Sequence, residues 1–164
     1  MKTFSITTAL ILLSFSMVSA AGSPAIKSTV SKDIKYYNVG VEMMMAKQFN
    51  RAEKQFRKAL ATNERFAEAH NNLAYSLRKQ GPDHFADALK HYNRAIELKP
   101  GLEEAYMYRG VLHTQMGNHT LALDDHSTLV EKKSPLAAEL QYVVDNGREK
   151  EPEQFFGVSR RIDS

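Results

Sequence analysis

Three segments of the chain, residues 33–66, 67–102 and 103–134, align with one another at a spacing of 34 residues, with a two-residue insertion in the second at or near Pro82-Asp83. A repeat of this length constrains the fold more than any single motif. A unit so short cannot bury its apolar face alone and must stack on its neighbours. Four columns set the register: Gly40, Ala74 and Gly110; Ala52, Ala88 and Ala122; Phe56, Tyr92 and His126; Ala59, Ala95 and Leu129.

Each unit has the pattern of two helices joined by a turn. In the first, Ile34, Tyr37, Asn38, Val41, Met44 and Met45 fall on one helical face. Tyr36, Val39, Gly40 and Met43 fall on the adjoining face, with Met43 expected in the core and Met44 and Met45 turned the other way. The small residues at 40, 74 and 110 let a partner helix approach closely, and the alanines at 52, 88 and 122 are expected to meet them. Gln80-Gly81-Pro82 and Gly117-Asn118 read as turns, and Pro100-Gly101 closes the second unit. Beyond the repeats, Ser134 as N-cap and Pro135 as first helical residue predict a capping helix over 135–147. Its apolar stripe is Leu136, Leu140, Val143 and Val144, and Asn146-Gly147 ends it. Residues 148–164 form a polar tail broken by Phe155-Phe156.

This pattern resembles the tetratricopeptide repeat family, whose units carry an aromatic residue, Leu-Gly, Tyr, Ala, an aromatic four residues on, and Pro. Tyr36, Val39-Gly40, Met43, Ala52 and Phe56 match in the first unit. His70, Leu73-Ala74, Leu77, Ala88, Tyr92 and Pro100 match in the second, and Tyr106, Gly110, His113, Ala122 and His126 in the third. Glu64 stands where the first unit would have its Pro. The resemblance implies an all-α, right-handed solenoid of three helical hairpins plus the capping helix.

The resemblance also implies a binding groove lined by the first helix of each unit, holding an extended peptide or partner helix. Carried over column by column, the first unit supplies Tyr37, Asn38, Val41, Met44 and Met45. The second supplies Asn71, Asn72, Tyr75, Arg78 and Lys79, and the third Met107, Tyr108, Val111, Thr114 and Gln115. Amides can bond a peptide backbone, while Tyr and Met give apolar contact with little directional demand. Chaperone-tail-binding members use a clamp of two Lys, two Asn and an Arg. The matching residues here are Tyr37, Val41, Asn72, Glu104 and Tyr108, so only Asn72 fits and Glu104 would repel a terminal carboxylate.

The stretch HTQMGNHTLALDDH, residues 113–126, raises the question of a metal. His113, His119 and His126 occupy columns held by Met43/Leu77, Phe49/Phe85 and Phe56/Tyr92, which are packing positions between the helices of a unit. The alternative is a zinc or copper site in which His113 and His126 converge with Asp124 or Asp125. No HExxH-type spacing accompanies them, and no metal or other cofactor is expected. His70, His84 and His91 read as scattered. Catalysis has little support: no phosphate loop, nucleophile elbow or cysteine is present, and Glu68 and Glu104 have no companion base or oxyanion donor.

Residues 1–20 have the form of a signal peptide, with Lys2, an apolar run from about Ile6 to Val18, and Ser19-Ala20-Ala21 at the expected cut. Residues 21–32 read as a linker. The apolar run is short for a membrane span, and no other segment is apolar enough to cross. With no cysteine, disulfides and thiolate chemistry are excluded. A formal charge of +3 with both signs interspersed leaves no basic block suited to nucleic acid. Asn118-His119-Thr120 matches a glycosylation acceptor and matters only in a eukaryotic source. The expectation is an exported interaction module, an adaptor or assembly factor. The periplasm is the expected compartment, secretion the alternative, and weak self-association through the solenoid ends a further possibility.

Overall fold

The structure is a computed structural model and describes residues 30–150 and 160–162. The signal peptide and most of the linker, and Phe155-Phe156, lie outside the described residues. Among the described residues there are seven α-helices: α1 Lys32–Met45, α2 Phe49–Thr62, α3 Ala67–Arg78, α4 Phe85–Leu98, α5 Glu103–Gln115, α6 His119–Glu131 and α7 Leu136–Asn146. A 3₁₀ turn, Pro82–His84, takes up the two-residue insertion ahead of α4. None of these helices is long and apolar enough to cross a membrane.

The pairs α1/α2, α3/α4 and α5/α6 are hairpins, and α3 and α5 pack on the hairpin before them. The second helices follow the i, i+4, i+7 pattern. Ala52, Phe56 and Ala59 in α2, and Ala88, Tyr92 and Ala95 in α4, are fully buried. Buried Phe66 and Leu102 occupy equivalent places just ahead of α3 and α5, filling the junction between hairpins with apolar surface where a polar cap often sits.

The small-residue columns work differently from the expectation. A Cβ added at Gly40 would stand 2.6 Å from Cε1 of Phe56, so the space is taken by that ring rather than by Ala52. At Gly110 the neighbour is Leu140 of α7, 2.5 Å from the added Cβ. The glycine of the third unit is therefore where the capping helix seats. The methionines differ too. Met44 is fully buried, Met43 is half-buried and Met45 exposed, because the groove-side face of α1 is itself covered.

Pro135, expected as the first helical residue, is instead the cap residue of α7, and the capping side chain is that of Ser134, two residues ahead of the helix start. The Ser134 hydroxyl accepts from Leu136 N–H at 3.2 Å and donates to Glu103 at 2.6 Å, tying α7 to α5. Gly147, at φ 69°, ends the helix in the left-handed conformation. Positive φ recurs at the hairpin turns, at Gly81 and Gly117, but the equivalent place in the first hairpin is Lys47, at φ 56°. A side chain in that region costs roughly 1 kcal/mol. Lys47→Gly is expected to stabilise the chain by about 0.5–1 kcal/mol, read as a higher urea midpoint at unchanged slope.

Candidate peptide-binding face

The first helices of the hairpins, α1, α3 and α5, stand side by side and present one continuous face. Of the fifteen residues assigned to it, Tyr37, Val41, Met44, Asn71, Asn72, Tyr75, Arg78, Met107, Tyr108, Val111 and Thr114 are buried. Asn38 and Lys79 are half-buried, and Met45 and Gln115 are exposed. The face thus has a packed floor and a few accessible groups at its margins.

The floor is held by aromatic and amide contacts between successive hairpins. Tyr37 packs on Phe66, with ring centroids 4.8 Å apart, and its hydroxyl accepts from Nδ2 of Asn72 at 3.1 Å. The Asn71 amide donates to Asn72 at 3.2 Å, and its own Oδ1 has no hydrogen-bond partner among the described residues. Tyr75 meets Tyr108 edge-to-face at 5.0 Å, and the Arg78 guanidinium lies over both rings, at 5.1 and 5.9 Å. Such contacts favour a cation desolvated against ring faces.

The C-terminal segment of the chain lies on this face at two places. Glu149 receives Nη1 and Nη2 of Arg78 at 3.0 and 2.9 Å, and Lys79 at 3.4 Å. Burial alone would raise the Glu149 carboxyl, but the neighbouring Arg78 and Lys79 charges hold it below its usual value. At the other end, Asn38 uses both ends of its amide on the backbone of one residue. Its Nδ2 donates to the Ile162 carbonyl at 2.9 Å, and its Oδ1 accepts from the Ile162 N–H at 2.8 Å. Arg161 pairs with Glu42 at 2.9 Å, and Ile162 packs against the main core.

Beside that contact is an open cleft of about 420 Å³, lined by Tyr37, Glu68, Lys99, Glu104 and residues 160–162. Glu68 bonds Lys99 at 2.6 Å. Glu104 has its carboxyl raised, by burial first and then by the charges of Glu103 and Glu68. The repeat register had already set Glu68 and Glu104 in equivalent places. Nothing in the sequence marked Glu149 or Ile162, whose contacts span 71 and 124 residues of chain.

Among the described residues, no three of His, Asp and Glu stand close enough to share a metal ion. Of the three histidine columns expected to be packing positions, only His113 is buried. His119 opens α6 in solvent, and His126 is half-covered at the edge of the array. The buried acid of this stretch is Asp125, held by Arg109 through Nη2 at 2.6 Å and Nε at 3.1 Å, while Nη1 of Arg109 reaches Asn93 at 2.8 Å. These bonds join α4, α5 and α6.

Two histidines that read as scattered are neighbours. Nδ1 of His70 and Nδ1 of His91 are 2.9 Å apart with the rings stacked, and Nε2 of His70 lies 3.0 Å from the Glu64 carbonyl. The carbonyl fixes the His70 proton on Nε2, so one proton, on His91, lies between the rings. A second would oppose it. Burial, and then His70, push His91 down to about 4, and burial lowers His70. The unfolded chain therefore takes up protons near the ordinary histidine value of 6.5, while His91 in the folded chain resists until about 4. Stability falls as pH drops through that window. Between pH 7 and 5 the loss is expected to be on the order of 1–2 kcal/mol, and His91→Gln should flatten it in urea titrations at each pH.

The tetratricopeptide repeat family model matches residues 46–82 and 83–138, more than half of the chain. The chain belongs to the tetratricopeptide repeat family. A human relative, tetratricopeptide repeat protein 6, is 38% identical over 74 residues, covering 45% of this chain and 14% of that protein. The chain thus spans only a small part of that relative's length. The first tetratricopeptide repeat domain of Spaghetti (RPAP3), solved with the HSP90 peptide SRMEEVD, has a TM-score of 0.63 at 17% identity, over 71% of this chain and 92% of that one. The TPR2B domain of yeast Sti1, solved as a complex with pHsp70, also has a TM-score of 0.63, at 20% identity, over 72% of this chain and 100% of that one. These likenesses establish the tetratricopeptide fold, with α1, α3 and α5 as the first helices of its repeats.

Proposed function

We propose that the chain is an exported protein-interaction module, an adaptor or assembly factor that holds a partner segment against the face formed by α1, α3 and α5. One observation carries the reading: Asn38 bonds both the N–H and the C=O of one residue, as a receptor for extended chain does, and the residue gripped comes from 124 positions away. Tetratricopeptide repeat structures solved with peptides support it. The peptide in the Spaghetti complex ends in Glu-Glu-Val-Asp. Here Glu104 and Tyr108 stand where a carboxylate clamp would need cations, so a different segment is the ligand. The face offers hydrogen bonds, rings and charge but no positioned nucleophile, and the reading is therefore one of binding. Export rests on the signal-like residues 1–20, with the periplasm as the compartment and secretion as the alternative.

The test is affinity capture from envelope extract with the mature chain and with an Asn38→Ala/Lys79→Ala/Gln115→Ala variant. These positions are half-buried or exposed, so the floor stays intact. Specific proteins held by the first and lost with the second support the reading. The same set held by both would sink it.

A further inference from the structure

Resting on the groove reading, we infer that the end of the face formed by Asn38, Glu42, Glu68 and Glu104 takes an extended basic segment, two cationic residues followed by an aliphatic one. The chain's own Arg160-Arg161-Ile162 is the competing occupant. Three features specify that ligand. Asn38 satisfies both backbone polar groups of one residue, which requires an extended strand with that residue's N–H and C=O turned toward α1. The residue so held, Ile162, is aliphatic and packs against the apolar core. The residue before it is an arginine paired with Glu42, and Arg160 borders the cleft that holds Glu68 and Glu104.

Charge in the cleft is unbalanced. Lys99 is bonded to Glu68, which leaves the Glu104 carboxylate without a bonded cation among the described residues. Burial and its acidic neighbours raise Glu104, so an arriving guanidinium relieves repulsion already built into the site. An acidic segment meets the opposite field. At the far end the Glu149 pair with Arg78 and Lys79 anchors the start of the same tail. A segment tied this close competes as an intramolecular ligand, and an outside ligand binds in proportion to the fraction of chains whose tail is off the face.

The experiment is fluorescence anisotropy with a labelled peptide of sequence VSRRIDS, added to the full mature chain and to its Arg161→Glu/Ile162→Asp variant. Both substitutions lie in the tail, outside the repeats and the capping helix. The tail-released variant is expected to bind the peptide at least about tenfold tighter than the wild-type chain. Adding Asn38→Ala to it should abolish binding, and a peptide with Glu at both arginine positions should bind at least about tenfold more weakly. Equal affinity of wild type and released variant, or equal binding of the acidic peptide, overturns the inference. If neither peptide binds but capture by the chain is still lost with the Asn38→Ala/Lys79→Ala/Gln115→Ala variant, the basic specificity falls and the groove reading stands. If capture is also unaffected, both fall.

Discussion

Phe56→Ala is expected to destabilise the chain by about 3–5 kcal/mol, the cost of emptying a fully buried aromatic site. The ring has no solvent exposure and fills the space above Gly40, where even a methyl group would collide with it. It also packs against Tyr37, with centroids 5.8 Å apart, and Tyr37 carries the contact to α3 through Asn72. The cavity therefore opens between α1 and α2 and weakens the junction to the second hairpin. Stacked repeats contact only their neighbours, so the damage should be graded along the array. Amide exchange should rise most in α1 and α2, less in α3, and least in α5 to α7. A cost below about 1 kcal/mol, or uniform loosening, would contradict this packing account.

Asp125→Ala should cost a comparable amount, about 3–5 kcal/mol, because it strands a cation rather than emptying a cavity. Asp125 is 2% exposed and receives three contacts from Arg109, itself only partly solvated. Burial raises the Asp125 carboxyl while the arginine counters it. Removing the acid leaves Arg109 with Asn93 as a weak partner. Removing both charges is different: Asp125→Ala combined with Arg109→Met should recover at least half of the loss, since no unpaired ion remains. The four chains of this cycle, compared by urea unfolding, give the coupling directly. Additive losses would show that the pair does not join α5 to α6 as described.

The two predictions also mark what was legible in advance. The columns at 40/74/110, 52/88/122 and 56/92/126 are periodic in sequence, so hairpins and register follow from spacing, and the face of α1, α3 and α5 was what the resemblance to the family implied. What fills each small-residue gap does not. The Phe56 ring reaches back over Gly40, and Leu140 from a helix outside the repeat covers Gly110; both depend on how far helices tilt. The pairs His70–His91 and Arg109–Asp125 join helices whose relative rotation no pattern of apolar residues records. Asp125 and His126 are adjacent in sequence, and the aromatic column favoured His126 for the interior. Arg109 drew Asp125 inward instead. The Tyr and Met residues of the groove were expected to contact a ligand, whereas most of them are buried in its floor. The tail contacts were hidden because they depend on chain that carries no repeat.

The central claim is that the face of α1, α3 and α5 receives an extended segment. Nuclear magnetic resonance titration of isotope-labelled full chain with the VSRRIDS peptide locates that event residue by residue. Shifts are expected at Asn38, Glu42, Glu68 and Glu104 and at the Ile162 amide, as the chain's own tail gives way, with α2, α4 and α6 little changed. Shifts confined to α2, α4 and α6, with the Ile162 amide unmoved, would contradict it.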